Sequence, residues 1–172
     1  MEEETISTVP ELEARIKRIE CRLAAVAKSV HLNGLGVLNN NVRQFNSQAR
    51  DPQDQLQPLQ VAESDESQNL CFRPPKGFPR TLIEAISLRW DAKRLAQLLV
   101  FYNVKILRPG NDLFASSENE DDDDSAGFIN VNDEDQVANH SKECFTYFIS
   151  YIGLKRKVVD NYLPSTERRQ TD

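Results

Sequence analysis

The sequence of 172 residues is poor in histidine and cysteine and lacks a long apolar run. Its two histidines, His31 and His140, leave little material for acid–base catalysis by imidazole. No run of about 18 apolar residues occurs, so no transmembrane helix is expected. The three cysteines lie far apart, which is typical of reduced thiols rather than of a disulfide framework. These absences argue against an enzyme, a membrane protein and a disulfide-stabilised secreted domain.

Several motifs of known binding and catalytic sites are absent as well. We find no nucleophile elbow, no phosphate-binding loop and no zinc-protease motif. His140 and Cys144 have a helical spacing, but no second pair completes a tetrahedral metal site. We therefore expect no catalytic residue, metal, cofactor or small-molecule substrate. Because Met1 is followed by three glutamates rather than by a basic signal peptide, we expect a cytoplasmic or nuclear protein, not a secreted one.

The most regular pattern in the chain is an apolar heptad stripe near the N-terminus. Its spacing alternates between three and four residues without a gap, which places a narrow apolar seam along one side of a helix. Thr8 and Glu11 have capping-box spacing at its start, and Asn33-Gly34 predicts its end. We predict a coiled-coil helix over residues 9–32 with the a and d positions Val9, Leu12, Ile16, Ile19, Leu23, Val26 and Val30.

Charges beside this seam favour a parallel pair of helices. With Val9 at position a, Arg15 occupies a g position and Glu20 the following e position, and these attract each other across a parallel pair. The expected partner is a second copy or another coiled-coil protein. β-branched residues at position a favour a dimer, whereas β-branched residues at position d are also compatible with a trimer. Packing of the helix onto its own domain is the alternative to association, and acidic residues among the basic ones argue against a membrane surface.

The rest of the chain is predicted to be mostly α-helical. Renewed helical spacing, out of phase with the seam, indicates a weak second helix over 33–48. Residues 49–72 are rich in Gln, Asp and Pro and are expected to form a disordered linker, and disorder is also expected for 1–8 and 165–172. The fold class is therefore an N-terminal coiled-coil helix, a flexible linker and a small C-terminal helical unit, which leaves room for one or two short strands.

The C-terminal unit is predicted to span residues 73–164, with an acidic disordered loop over 111–135. Thr81 and Asp91 stand where they can cap two helices, and Gly153 stands where a third ends. Without the loop about 60–65 residues remain, near the lower size for one core. We expect this core to contain Trp90 together with Leu95, Leu98, Leu99, Phe145, Phe148 and Ile152.

These features predict a non-catalytic interaction protein, a subunit or adaptor of a larger assembly, which associates through a short parallel coiled coil. The alternative is a nuclear factor associated with nucleic acid or chromatin. Residues 71–108 carry eight Lys or Arg against two acidic residues, a net charge of +6, whereas 109–137 carry ten acidic residues and no base. On this alternative the acidic loop competes with nucleic acid for contacts with Arg89, Lys93 and Arg94. Within the loop, Ser117 is a candidate site for an acid-directed kinase.

Overall fold

The computed structural model describes residues 9–64, 70–109 and 127–164, and these residues are mostly helical. The mostly α fold class is thereby confirmed. The helices and strands are α1 (Val9–Asn46), β1 (Val61–Ser64), β2 (Leu70–Arg73), α2 (Leu82–Ser87), α3 (Ala92–Phe101), β3 (Ile106–Leu107), β4 (Phe128–Ile129), α4 (Glu134–Asn139), α5 (Ser141–Tyr151) and α6 (Arg156–Tyr162). A 3-10 turn over Leu88–Trp90 follows α2 directly.

Helix α1 is continuous over 38 residues, which corresponds to a length of about 57 Å. Its described residues begin at Val9, and the predicted capping residue Thr8 lies outside the described residues, so the start of the helix stays a prediction. The predicted end at Asn33-Gly34 and the separate second helix over 33–48 are wrong, because α1 continues to Asn46. A glycine inside a helix costs only about 1 kcal/mol. Burial of the last turns, which include Val42 and Asn46, outweighs this cost.

The apolar core is built mainly by the helices of the C-terminal unit, and Val42, Ala49, Leu56 and Leu59 from the preceding chain also belong to it. Helix α5 packs against α3 and against the 3-10 turn, and α6 packs against α2. The six aliphatic and phenylalanine residues predicted for this core are all buried. The prediction for Trp90 is wrong, since its side chain is 57% exposed at the end of the 3-10 turn, where Leu88 occupies the core instead.

Helix ends in this unit follow local sequence signals. The Thr81 hydroxyl accepts a hydrogen bond from the Glu84 amide at 3.4 Å, and a carboxylate oxygen of Asp91 accepts one from the Arg94 amide at 3.0 Å. Both predicted N-caps are confirmed. Gly153 has a φ of +91° just after α5, the left-handed conformation that commonly follows a helix C-terminus, so it is confirmed as the helix stop.

The described part of residues 49–72 is ordered, which contradicts the predicted disordered linker. Leu56 and Leu59 are buried in the core, and the Leu56 amide donates to the Arg80 carbonyl at 2.8 Å. Strands β1 and β2 then form an antiparallel hairpin in which Ala62 pairs with Phe72. The amino-acid composition of this segment gave no sign of its order, because a few leucines among the glutamines are enough to pack it against the core.

The predicted acidic loop over 111–135 is also corrected at its C-terminal end. Residues 110–126 lie outside the described residues. Strand β4 pairs with β3, and the Asp133 side chain caps α4. Arg108 holds these pieces together, since its guanidinium donates to the Phe128 carbonyl at 3.1 Å and to the Gln136 side chain at 3.2 Å. The acidic residues near Asp133 therefore belong to a folded helix start.

Candidate interaction surface on the N-terminal helix

The predicted heptad seam is exposed along α1. The seven side chains have exposed fractions between 44% and 69%, so they are accessible rather than packed onto the rest of the described chain. The first and last of them, Val9 and Val30, are 21 positions apart, so they form an apolar row about 32 Å long. Monomeric soluble proteins rarely expose contiguous apolar patches of this kind unless the patch binds a partner. The seam is therefore the candidate interaction surface.

The C-terminal turns of α1 are anchored to the body of the protein by two asparagines. Asn46 is fully buried; its amide nitrogen donates to the carbonyls of Gln57 at 2.9 Å and Ile152 at 2.8 Å, and its oxygen accepts from the Gln57 amide at 2.9 Å. Seven residues earlier, Asn39 makes the same two-way contact with the backbone of Gln60, at 2.8 and 2.9 Å. Together these bonds fix one face of α1 against residues 57–60.

Arg43 adds a third anchor between the two asparagines. Its Nε donates to the Tyr151 carbonyl at 2.8 Å, and its guanidinium carbon lies 5.2 Å from the centre of the Tyr151 ring. The last carbonyls of a helix have no partner within that helix. Arg43 and Asn46 satisfy two carbonyls at the end of α5, those of Tyr151 and Ile152, so the direction of α1 is set by α5.

Tyr102 packs against this anchor. Its ring centre lies 5.1 Å from that of Tyr151, and its hydroxyl donates to the Leu59 carbonyl at 3.2 Å. Burial raises the pKa of Tyr102 well above its usual value, with a smaller contribution from Tyr151. The hydroxyl is therefore a neutral structural donor.

The anchored face and the seam lie on nearly opposite sides of α1. Successive helical residues are rotated by about 100°, so Val30 and Asn46, which are sixteen residues apart, point about 160° away from each other. Anchoring α1 to the body consequently leaves the seam open. A partner helix has access to the seam while α1 keeps all its bonds to the body.

A recess lies beside α1. It is an open crevice of about 720 Å³ between α1 and the β1–β2 hairpin, lined by Ala24, Ala25, Ala27, Lys28, His31, Ser64 and Leu70. Across the described ranges, no three His, Cys, Asp or Glu side chains are grouped so that they could hold a metal ion. None of the described helices has the length and apolar character needed to cross a membrane.

The charged residues predicted to orient the pair flank the seam. Arg15 and Glu20 are both exposed on α1, so each is accessible to a partner helix. The structure contains one chain, and the attraction between Arg15 and Glu20 of a second copy stays a prediction.

Two of the three basic residues assigned to the nucleic-acid alternative bind other parts of the same chain. The Arg89 guanidinium donates to the Ser141 hydroxyl. Arg94 donates to the Gly77 carbonyl at 2.8 Å and lies 3.9 Å from the Glu84 carboxylate. Lys93 is exposed on α3. The candidate phosphorylation site Ser117 lies outside the described residues.

Sequence reasoning missed the anchor, although a signal for it was present. Asn39 and Asn46 are seven residues apart, so they share a helix face with Val42 and Leu35. Asparagine is a weak helix former, yet within the run of asparagines at 39–41 the side chain of Asn39 binds the backbone of the segment that follows. Comparisons with protein-family models, with curated proteins and with solved structures gave no match.

Proposed function

We propose that this protein is a non-catalytic subunit or adaptor that associates with a second copy of itself through a parallel pair of α1 helices. One observation carries the proposal: a row of seven apolar side chains is exposed on a helix whose opposite face is fixed to the body. An apolar row on a helix held in this way favours pairing with another helix. A second copy supplies an identical row.

The apolar area favours a pair of moderate affinity. Burying the exposed half of each aliphatic side chain contributes on the order of 1 kcal/mol. Fourteen such side chains in a pair give a favourable burial free energy on the order of 14 kcal/mol. This is similar in size to the free-energy cost of association, which is about 4–15 kcal/mol. We therefore expect association that depends on protein concentration.

Charge favours the parallel arrangement and a second copy as the partner. Two copies in register bring each Arg15 next to Glu20 of the other copy, so the contact forms twice. Exposed ion pairs contribute only about 0.2–1 kcal/mol each. Their contribution is therefore to orientation more than to affinity. β-branched Val9, Ile16 and Val30 at position a favour two strands, whereas β-branched Ile19 and Val26 at position d are also compatible with three.

The test compares two double variants of the full chain. Ile16→Asn/Leu23→Asn places two amides in the seam, whereas Ala14→Asn/Cys21→Asn places the same two amides, also seven residues apart, on the outer face of α1. Light scattering coupled to size exclusion gives the oligomeric state, and circular dichroism checks that the body stays folded. We expect a dimer for the wild type and the control and a monomer for the seam variant.

Two results would contradict the proposal. A wild-type chain that stays monomeric at high concentration would show that α1 does not bind its own copy. A seam variant that keeps the wild-type oligomeric state would show that association uses another surface. A trimer would keep the seam as the interface and correct only the number of helices.

A further inference from the structure

Because α1 does not end at Gly34, the heptad pattern continues in phase beyond Val30. The next d position is Asn33 and the next a position is Val37. Val37 is 63% exposed, the same range as the seven seam residues, and Asn33 is also exposed. A helix stop at Asn33-Gly34 would have placed both residues outside the seam. The continuous helix places them on it.

The face that carries Val37 is turned away from the body. Val37 and Asn46 are nine residues apart, which corresponds to a rotation of about 180° around the helix. Asn46 is fully buried against the body, so Val37 lies on the side farthest from it. A second helix can therefore lie along α1 at this level.

Two glycines flank this part of the seam, and nothing in the described chain requires them. Gly34 and Gly36 lie inside α1, and a Cβ added at either position would meet no atom within 4 Å. Glycine destabilises a helix interior relative to alanine. The two glycines lie at the e and g positions beside Asn33 and Val37. Because they have no side chains, the helix backbone is uncovered on both sides of the seam. Bare backbone permits close approach by a neighbouring helix.

We infer that the surface that binds a second copy extends to Val37, with Asn33 as a polar layer between Val30 and Val37. This inference rests on the proposed function. The seam then runs from Val9 to Val37, about 42 Å. At the next d position Asn40 already accepts a hydrogen bond from Arg43 at 3.1 Å, so the seam ends before it.

The polar layer selects one alignment of the two helices. In a parallel pair in register, the Asn33 amide faces the Asn33 amide of the second copy, and each can donate to and accept from the other. In an antiparallel pair a d residue lies opposite an a residue, so Asn33 meets an apolar residue such as Val9 or Ile16 of the second copy, where the amide has no partner. A buried amide without a partner is costly. A single polar residue in a coiled-coil seam specifies register at some cost in stability.

The test uses three single variants of the full chain. Val37→Asp places a charge in the extended seam, and Leu32→Asp places the same charge on an exposed apolar residue of α1 outside it. Asn33→Leu replaces the polar layer with an apolar one. Sedimentation equilibrium measures the dissociation constant of each variant. We expect Val37→Asp to weaken the dimer at least about tenfold, Leu32→Asp to change it less than about twofold, and Asn33→Leu to tighten it about tenfold.

Failure of this inference is distinguishable from failure of the proposed function. If the wild type is a dimer and both Val37→Asp and Asn33→Leu leave its dissociation constant unchanged, the seam ends at Val30 and the inference is wrong. If the wild type is a monomer, the proposed function itself is wrong. Asn33→Leu keeps the test decisive even if a charge at position 37 lowers helix content, because the leucine variant is expected to gain affinity.

Discussion

The backbone of Gly153 lies directly against the backbone of Arg43. A Cβ built on Gly153 would stand 2.6 Å from the Arg43 carbonyl oxygen and 2.7 Å from its Cα, and the φ of Gly153 is +91°. Both the contact and the backbone conformation require glycine at this position. The end of α5 therefore fits against α1 only because this residue has no side chain.

Gly153→Ala is expected to lower the free energy of unfolding by more than about 2 kcal/mol, because its Cβ would overlap backbone atoms that cannot move aside. Urea denaturation followed by circular dichroism measures the change. A variant as stable as the wild type would show that α1 is not seated on the turn after α5.

Gly36→Ala is the matched control and is expected to have the opposite sign. An added Cβ there meets no atom within 4 Å, so the gain in helix propensity is expected to stabilise α1 by about 0.5–1 kcal/mol. The measurement is helix content at 222 nm in the Ile16→Asn/Leu23→Asn background, in which we expect a monomer. A loss of helix content would contradict the continuous α1.

Asn46→Ala tests the anchor itself. The substitution leaves the Gln57 amide and the carbonyls of Gln57 and Ile152 without their partner, and each unsatisfied group costs about 1–3 kcal/mol. We expect a loss of about 3 kcal/mol and faster hydrogen exchange at the Gln57 amide. Asn41→Ala, at an exposed position of the same helix, should stay within about 0.5 kcal/mol of the wild type.

A charge reversal tests the orientation of the pair. Glu20→Arg places two arginines opposite each other in the proposed parallel dimer, so the dissociation constant should rise severalfold at low salt. Adding Arg15→Glu restores opposite charges in exchanged positions and should recover most of the affinity. In an antiparallel dimer these two residues would not face each other, and the double variant would show no recovery.

The buried thiol of Cys144 is expected to make the stability of the protein depend on pH. Burial raises the pKa of this thiol to about 11 from an ordinary value of 9.0. Between these values the unfolded chain loses the proton and the folded chain keeps it, so stability should fall as the pH rises from about 9 towards 11. The Cys144→Ala variant should show a smaller fall. In the folded protein a thiol reagent at neutral pH should modify the exposed Cys21 well before Cys144.

The features that were predictable from the sequence are those specified by neighbouring residues. Thr81 and Asp91 cap helices through hydrogen bonds to amides three residues away. The spacing of Leu95, Leu98 and Leu99 alone placed them in the core. Such signals need no information from distant parts of the chain.

The wrong predictions of the helix end and of the linker have a different cause, since contacts with distant parts of the chain decided both outcomes. Asn33-Gly34 is a local stop signal, but the bonds of Asn39 and Asn46 to residues 57–60 and to Ile152 keep the helix intact beyond it. Leu59 is buried although its neighbours resemble a linker. The heptad seam itself was readable from spacing, whereas its accessibility and its opposition to the anchored face required the structure.

The anchor of α1 also has a consequence for the order in which the protein is made. Asn46 binds the carbonyl of Ile152, which lies 106 residues later in the chain. At a synthesis rate of about 5–20 residues per second, those residues take roughly 5–20 s to emerge. During that interval the apolar seam of α1 is complete while the end of α5 that fixes its direction does not yet exist. On a ribosome, the proposed partner surface is therefore complete before the body that carries it.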